Sequence, residues 1–258
     1  MLMSLLATCA GIILVYMTIF FVNAQIKKDN SIADIAWGPG FALIALYTLF
    51  NSGTFFPRQL LVTALVLLWA TRLSSHILKR NWNKGEDARY AQWRQSWGKH
   101  ATLFSFTNVF LLQGFLLLVI SYPIMIINSY SDATLNYKDF LGLAMWLVGF
   151  YFEVVGDAQL AAFLKQPANR GKILMSGLWK YTRHPNYFGE ALLWWGIFVI
   201  ALSVPYGYTS IVSPVLITYL LVFVSGIPLA EKQLEKNDQF ADYKKRTSSF
   251  IPWFINQD

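Results

Sequence analysis

Seven stretches of this chain are apolar over about the thickness of a bilayer: residues 3–22, 33–50, 59–78, 103–127, 139–157, 185–203 and 209–229. A run of roughly 20 apolar residues in hydrocarbon can satisfy its backbone N–H and C=O groups only from within, and a helix does that. The runs are continuous and do not alternate with period two, which argues against an outer-membrane barrel. With 55% hydrophobic and 14% charged residues in 258, an ordinary soluble domain is excluded. The expected fold class is an all-α integral membrane protein, a bundle of about seven transmembrane helices. Without a linker long enough to separate domains, residues 1–258 are expected to form a single membrane domain.

The distribution of charge sets an expected orientation. Segments 23–32, 79–102, 158–184 and the tail from 230 fall on one side and carry two, six, five and five lysines and arginines, 18 of the chain's 21. The other side has only Arg58 and Lys138, and Arg72 alone lies inside a span. By the positive-inside rule the amino terminus is expected outside and the carboxyl terminus in the cytoplasm, as in a multi-pass protein of a bacterial inner membrane. The formal net charge of +7 therefore reports topology and attraction to anionic lipid headgroups, and nucleic acid is not an expected partner. Val22-Asn23-Ala24 resembles a signal-peptidase site. Lys27-Lys28 follows as a stop-transfer signal, so the first segment reads as a retained span. The single cysteine, Cys9, and three unpaired-spacing histidines, His76, His100 and His184, give neither a disulfide framework nor a metal-ligand pattern, and no metal is expected.

Polar residues gather at the span ends assigned to the cytoplasm. Asp34 starts the second span, Arg72 and His76 lie in the last turns of the third, Glu153 and Asp157 end the fifth, Glu190 is early in the sixth and Glu231 ends the seventh. Residues four apart share a helix face, so Arg72 with His76 and Glu153 with Asp157 each form a polar stripe. Ionisable groups inside spans usually face the bundle interior and pair, which implies a polar cavity opening to the cytoplasm. A simple neutralising pair of Asp34 with Arg72 also fits.

Tyr181-Thr-Arg-His-Pro-Asn-Tyr-Phe-Gly-Glu190 places further polar chemistry at the mouth of the sixth span. Pro185 suits the first position of a helix, so the amides after His184 are expected to form an exposed, positive helix start suited to an anion. Upstream, the loop from Lys165 through Asn169, Arg170 and Lys172 supplies three cations with Pro167 and Gly171, a combination suited to a diphosphate or 2′-phosphate. Trp179, Tyr181 and Tyr187 offer flat faces for an adenine or nicotinamide ring. No Gly-x-Gly-x-x-Gly turn, phosphate-binding loop or Gly-x-Ser-x-Gly elbow is present.

Arg183-His-Pro-Asn-Tyr-Phe-Gly-Glu190, the preceding Gly177-Leu-Trp179, and Asp242-Tyr243 leading to Phe250-Ile-Pro-Trp253 resemble the carboxyl-terminal region of the steroid 5α-reductase family, above all its little-characterised bacterial branch. The same superfamily includes sterol reductases and isoprenylcysteine carboxyl methyltransferases. The resemblance runs from about Glu153 to the end. It implies a seven-span fold that holds NADPH in a cytoplasm-facing pocket and delivers hydride to a conjugated carbon–carbon double bond. Residues 1–127 would then be the substrate-side helices and 139–258 the cofactor-binding region. Asn186 and Glu190 match the family's nicotinamide end, Asp157 a cofactor-binding aspartate, and Lys165, Asn169 and Arg170 the phosphate and ribose contacts. Arg183, His184 and Glu231 complete the candidate cofactor set.

The eukaryotic reductases hold a steroid ketone with a Gln-Glu pair and a Tyr, whereas here the corresponding region reads Asp34-Ile-Ala-Trp37-Gly-Pro39 and Trp69-Ala-Thr-Arg72. Asp34, Arg72, His76 and Glu190 become the catalytic candidates, with Arg72 polarising a carbonyl and Asp34 or His76 supplying a proton. Trp37, Trp69 and Glu153 become candidates for contact with a lipophilic substrate. The leading expectation is an NADPH-dependent reductase of an activated double bond in a steroid-like, enone or acyl-lipid substrate. An S-adenosylmethionine-dependent membrane methyltransferase is the alternative, because related enzymes share a His-Pro-x-Tyr-x-Gly entrance. A non-enzymatic lipid-binding or transport protein is the third reading. The segment holding Trp82, Trp93 and Trp97 is expected to lie on the membrane as an interfacial element.

Overall fold

The computed structural model describes residues 2–254 apart from Asn83, Ser131 and Gln233. The described residues are about 80% helical and contain no strand, so the protein is an all-α, multi-pass membrane protein. Two compact units divide the chain: Met1–Leu135 with Val204–Ser210, and Asn136–Ser203 with Ile211–Asp258.

The first unit opens with three long helices, α1 (Leu2–Lys27), α2 (Ile32–Ser52) and α3 (Pro57–Asn81). Gly53 adopts φ 68° to end α2, the left-handed stop that glycine allows at no steric cost. Pro57 then starts α3, where its missing N–H would be unpaired anyway. After the short α4 (Ala88–Trp97), α5 runs from Ala101–Ser105 through a π turn at Phe106–Leu111 into Leu112–Ile120, and α6 is Tyr122–Tyr130. The core of this unit is aromatic and aliphatic: Phe41 lies edge-on between Trp37 and Trp69, with ring centroids 5.1 and 5.3 Å away. Away from α4, a polar network ties α2, α3 and α6 together. Arg58 is buried, its Nη1 3.1 Å from Asp132 and its Nη2 donating to the Thr134 carbonyl at 2.6 Å. Gln59 donates to the Asn128 carbonyl at 2.9 Å, and Asn128 donates to Thr48 at 2.7 Å.

The second unit is built on α7 (Tyr137–Leu164) and α8 (Pro185–Ala201), which pack antiparallel along most of their length. Glycines seven residues apart explain how closely they approach. A Cβ on Gly189 would lie 2.4 Å from the Gly149 carbonyl oxygen, and one on Gly142 would lie 2.5 Å from that of Gly196. In a membrane, where lipid tails are as apolar as leucine, such small-residue seams let backbones meet and gain dispersion. Asn136 caps α7 by accepting from the Lys138 amide at 3.0 Å, and Lys138 Nζ reaches the Leu202 carbonyl at 2.9 Å to cap the end of α8. Beyond these come α9 (Val212–Tyr219, continued by a π turn at Leu220–Val224), α10 (Ile227–Lys232) and α11 (Asp238–Arg246).

Six helices among the described residues are long and apolar enough to cross a membrane. The expected sixth span, α8, has 17 residues, about 25 Å at 1.5 Å per residue and at the lower limit for crossing. The expected single span over 103–127 is interrupted at Ser121, where α5 stops and a new helix begins ahead of Pro123; proline has no N–H to continue the ladder. Residues 79–102 contain the helix α4, capped by Asp87, whose carboxylate accepts from the Arg89 amide at 2.9 Å.

Candidate functional site

In the first unit the polar chemistry centres on Asp34, in the first turn of α2. Its Oδ1 accepts from the Tyr90 hydroxyl at 2.6 Å, and its Oδ2 lies 3.3 Å from Arg89 Nη2. Gln113, from α5, donates to the Tyr90 oxygen at 3.3 Å. Arg89 is shared with Asp87, whose carboxylate lies 3.0 Å from its Nε. Burial pushes the Asp87 carboxyl up, but the hydrogen bonds and charge of Arg89 outweigh it and hold the group below the usual carboxylate range. The partner that the structure gives Asp34 is thus Arg89, not the Arg72 considered from sequence.

What brings α4 onto the start of α2 is a string of polar bonds. Glu86 accepts from the Asn30 amide at 2.9 Å and from Arg94, and Arg94 also donates to the Lys28 carbonyl at 2.8 Å. Asn30 donates to Ser105 at 2.8 Å. Arg72 and His76 lie half-buried on α3, one and two turns beyond the buried Trp69. Trp37 and Trp69 are joined through Phe41 as described above.

Tyr90 and Gln113 were missed from sequence. The signal was present in Glu86-Asp-Ala-Arg-Tyr90, charges and a tyrosine inside an otherwise aromatic-rich loop. Only the fold shows that this string faces Asp34.

In the second unit, Asn186 donates from Nδ2 to Asp157 Oδ1 at 3.0 Å, joining the first turn of α8 to α7 across the glycine seam. Among the described residues, the Asn186 Oδ1 is buried without a hydrogen-bond partner. Glu190 follows one turn later on α8, half-buried, and Glu153, one turn before Asp157 on α7, is buried. The seam fixes this geometry tightly: a Cβ on Gly189 would stand 2.5 Å from the Glu153 amide nitrogen.

Arg183, His184 and Glu231 form a separate knot. Glu231 Oε1 lies 2.8 Å from Arg183 Nε and 3.1 Å from His184 Nε2, and its Oε2 lies 3.5 Å from Lys244 Nζ. Arg183 Nη1 donates to the Thr247 and Lys244 carbonyls. His184 stacks on Tyr187 with centroids 5.3 Å apart. Burial pushes the His184 imidazole below its ordinary value despite Glu231, and Arg183 adds to that shift. α8 begins at Pro185 as expected, but its start is not exposed: Thr182, Arg183, His184 and Pro185 are all buried. The carboxyl-terminal segment covers it, through a Trp253 amide bond to the Tyr181 carbonyl, a Thr182 bond to the Phe250 carbonyl and an Arg183 amide bond to the Ser248 carbonyl, each 2.9 Å.

The remaining candidates divide by environment. Trp179 is buried, its indole donating to the Gly156 carbonyl at 3.0 Å and its carbonyl accepting from the Tyr243 hydroxyl. Asn169 spends its amide on the Phe163 carbonyl and Gln166, while Lys165, Arg170, Lys172 and Tyr181 are exposed. Among the described residues no cluster of three histidine, cysteine or carboxylate groups could hold a metal.

The family model described as "Protein of unknown function (DUF1295)" matches residues 20–247. Among curated proteins, the chain is 31% identical over 163 residues to mouse 3-oxo-5-alpha-steroid 4-dehydrogenase 1, covering 61% of this chain and 59% of the relative. The rat protein of that name is 28% identical over 162 residues, 61% of this chain and 58% of the relative. Steroid 5-alpha-reductase DET2 of Gossypium hirsutum is 35% identical over 77 residues, 30% of each chain. The chain thus spans about three fifths of the length of the mouse and rat relatives. No solved structure gives a significant match. With a family model covering most of its length, and steroid 5α-reductases among its curated relatives, the chain belongs to the DUF1295 family of steroid 5α-reductase-like membrane proteins.

Proposed function

We propose that this protein is an NADPH-dependent reductase of a conjugated carbon–carbon double bond in a lipophilic substrate, with its active site facing the cytoplasm. The observation that carries the reading is the Asn186–Asp157 pair. Asp157 holds the amide through one end, and the buried Oδ1 at the other end has no hydrogen-bond partner among the described residues, a suitable acceptor for the carboxamide N–H of a nicotinamide. An unsatisfied buried polar atom costs about 1–3 kcal/mol, so a ligand that satisfies it gains that much in return. Glu190, one turn along α8, would help orient the ring. Lys165, Arg170 and Lys172 provide exposed cations for the phosphates.

Bound NADPH would supply a hydride equivalent, which leaves the protein to hold the substrate, place a proton and exclude water. Taken by itself, the first unit carries groups that can hold and donate a proton. The Tyr90 hydroxyl and Asp34 Oδ1 share one proton across 2.6 Å, with Arg89 beside the carboxylate. With Asp34 in its acid form the pair carries two protons, so one can pass to a ketone or carbonyl oxygen as charge develops there while the other stays between Tyr90 and Asp34. Arg72 and His76 on α3 are the further polar groups for that role, and Trp37 and Trp69 supply apolar surface. The names of the mouse and rat relatives, steroid dehydrogenases, support a fused-ring or enone substrate.

The test is thermal unfolding of the detergent-purified protein with NADPH, NADH and S-adenosylmethionine in parallel, where a ligand at ~100 times its Kd stabilises by about 2.7 kcal/mol. NADPH is expected to raise Tm, Asn186→Ala to abolish that rise, and Tyr90→Phe to keep it while lowering enone-dependent NADPH oxidation. A rise with S-adenosylmethionine alone would overturn the reading in favour of a methyltransferase.

A further inference from the structure

Beside the Arg183 knot, but outside the Asn186–Asp157 pair, lies a cavity of about 570 Å³ whose described lining residues include Arg183, Lys244, Lys245 and Arg246 and none that is acidic. Ser248 and Ser249 contribute hydroxyls, and Ile251, Trp253 and Phe254 close it with apolar surface. Four cations around one cavity would repel each other without an anion. Three of them have nearby carboxylates: Arg183 and Lys244 share Glu231, at 2.8 and 3.5 Å, and Lys245 lies 3.8 Å from Asp242, so one carboxylate serves two cations and Arg246 adds a fourth charge. The Lys245 pair is mostly solvated, with 78% and 64% of the side chains exposed, so it neutralises little. Part of the positive charge complements the carboxyl end of α11, where it stabilises the helix dipole. That accounts for cations at the helix end, but not for the hydroxyls and apolar side chains around the same cavity.

The apolar wall is exposed yet held in place. Ile251, Trp253 and Phe254 are 60%, 68% and 79% exposed. The backbone beneath them is nevertheless fastened by the bonds from Tyr181, Thr182 and Arg183 and by the Thr182–Ser248 bridge. A segment whose backbone is pinned while its tryptophan and phenylalanine face outward is suited to the headgroup–acyl boundary, where aromatic rings are favoured. A lining that combines cations and hydroxyls with aromatic surface matches the two chemistries of a phospholipid headgroup region.

We propose that this cavity binds the phosphate of an anionic membrane lipid, with Lys245, Arg246 and the two serines on the phosphate and with Trp253 and Phe254 inserted beside the glycerol. The charge asymmetry of the sequence assigns this end of the chain to the cytoplasmic leaflet, the face that carries anionic lipid. The site is independent of the cofactor reading and stands whether or not NADPH binds.

The experiment measures lipid affinity of the purified full-length protein in neutral detergent by native mass spectrometry, with phosphatidylglycerol against phosphatidylcholine. Thermal unfolding with inorganic phosphate and with NADPH runs alongside. Phosphatidylglycerol is expected to bind more tightly than phosphatidylcholine. The Lys245→Gln/Arg246→Gln variant is expected to lose about tenfold of that affinity, given favourable electrostatics of surface cations toward anionic lipid, while keeping its Tm in phosphatidylcholine and its response to NADPH. Trp253→Ser/Phe254→Ser is expected to weaken both lipids and leave their ratio unchanged. Equal affinity for the two lipids would overturn the proposal. Stabilisation by inorganic phosphate that vanishes in the Lys245/Arg246 variant would assign the cavity to a soluble phosphate instead. Loss of the NADPH response in that variant would assign it to the dinucleotide.

Discussion

Replacing Glu231 with glutamine removes the counter-ion of Arg183, whose guanidinium also holds the Lys244 and Thr247 carbonyls at the root of the segment that covers the start of α8. Arg183 and Glu231 are nearly enclosed, with 9% and 11% of their side chains exposed, and meet at 2.8 Å. Glutamine keeps the shape and one carbonyl oxygen but leaves the guanidinium as a buried charge without its counter-ion. Removing one partner of a buried pair costs about 3–5 kcal/mol. Arg183 retains the Thr247 and Lys244 carbonyls, which places the expected loss near the lower end, about 3 kcal/mol. For a chain of this size each 1 kcal/mol moves Tm by roughly 2–4 °C, so a drop of about 6–12 °C is expected. Tryptophan fluorescence during thermal unfolding in detergent measures it, and limited proteolysis near Thr247 should accelerate in parallel. The double variant Arg183→Met/Glu231→Leu removes both charges and should recover most of the loss, because an apolar pair of similar volume no longer buries an uncompensated ion. A drop below about 2 °C for the single variant, or a double variant no more stable than the single one, would refute the claim that this pair holds the segment down.

Gly189→Ala places a Cβ 2.4 Å from the Gly149 carbonyl oxygen and 2.5 Å from the Glu153 amide; both are backbone, so the helices must separate, at about 1–3 kcal/mol. Gly11→Ala, with nothing within 4 Å, is the control that should leave Tm nearly unchanged, and equal effects of the two would count against a tight seam. His184 titrates below its ordinary value of 6.5 because it is buried, so the folded state binds that proton more weakly than the unfolded chain. Its contribution is complete above about pH 6.5 and is lost as pH falls from there through the depressed folded value. Tm should therefore fall between about pH 7.5 and pH 5.5, with a shallower slope in His184→Gln; identical slopes would remove His184 from the account.

Most of the architecture was readable in the amino-acid order because hydrocarbon leaves a backbone few choices. The ends of α2, α3 and α8 and the start of α7 lie within three residues of the expected spans, whereas α7 runs on to Leu164, seven residues past the expected end at 157. The interruption at Ser121 was not read, because averaged hydropathy does not register a single proline at position 123. The seam of Gly142, Gly149, Gly189 and Gly196 was also present in the sequence at intervals of seven, yet hydropathy counts glycine as nearly neutral and hides it.

What the sequence by itself determined is therefore local and solvent-driven: which segments cross the bilayer, where helices can begin, and which polar groups sit near span ends. Tertiary structure alone decided which of those groups meet. Tyr90 reaches Asp34 across 56 positions of sequence, and Arg183 reaches Glu231 across 48. A buried charge or hydroxyl must find a partner somewhere, but which partner depends on loop closure and helix packing, and neither leaves a periodic trace in the order of residues.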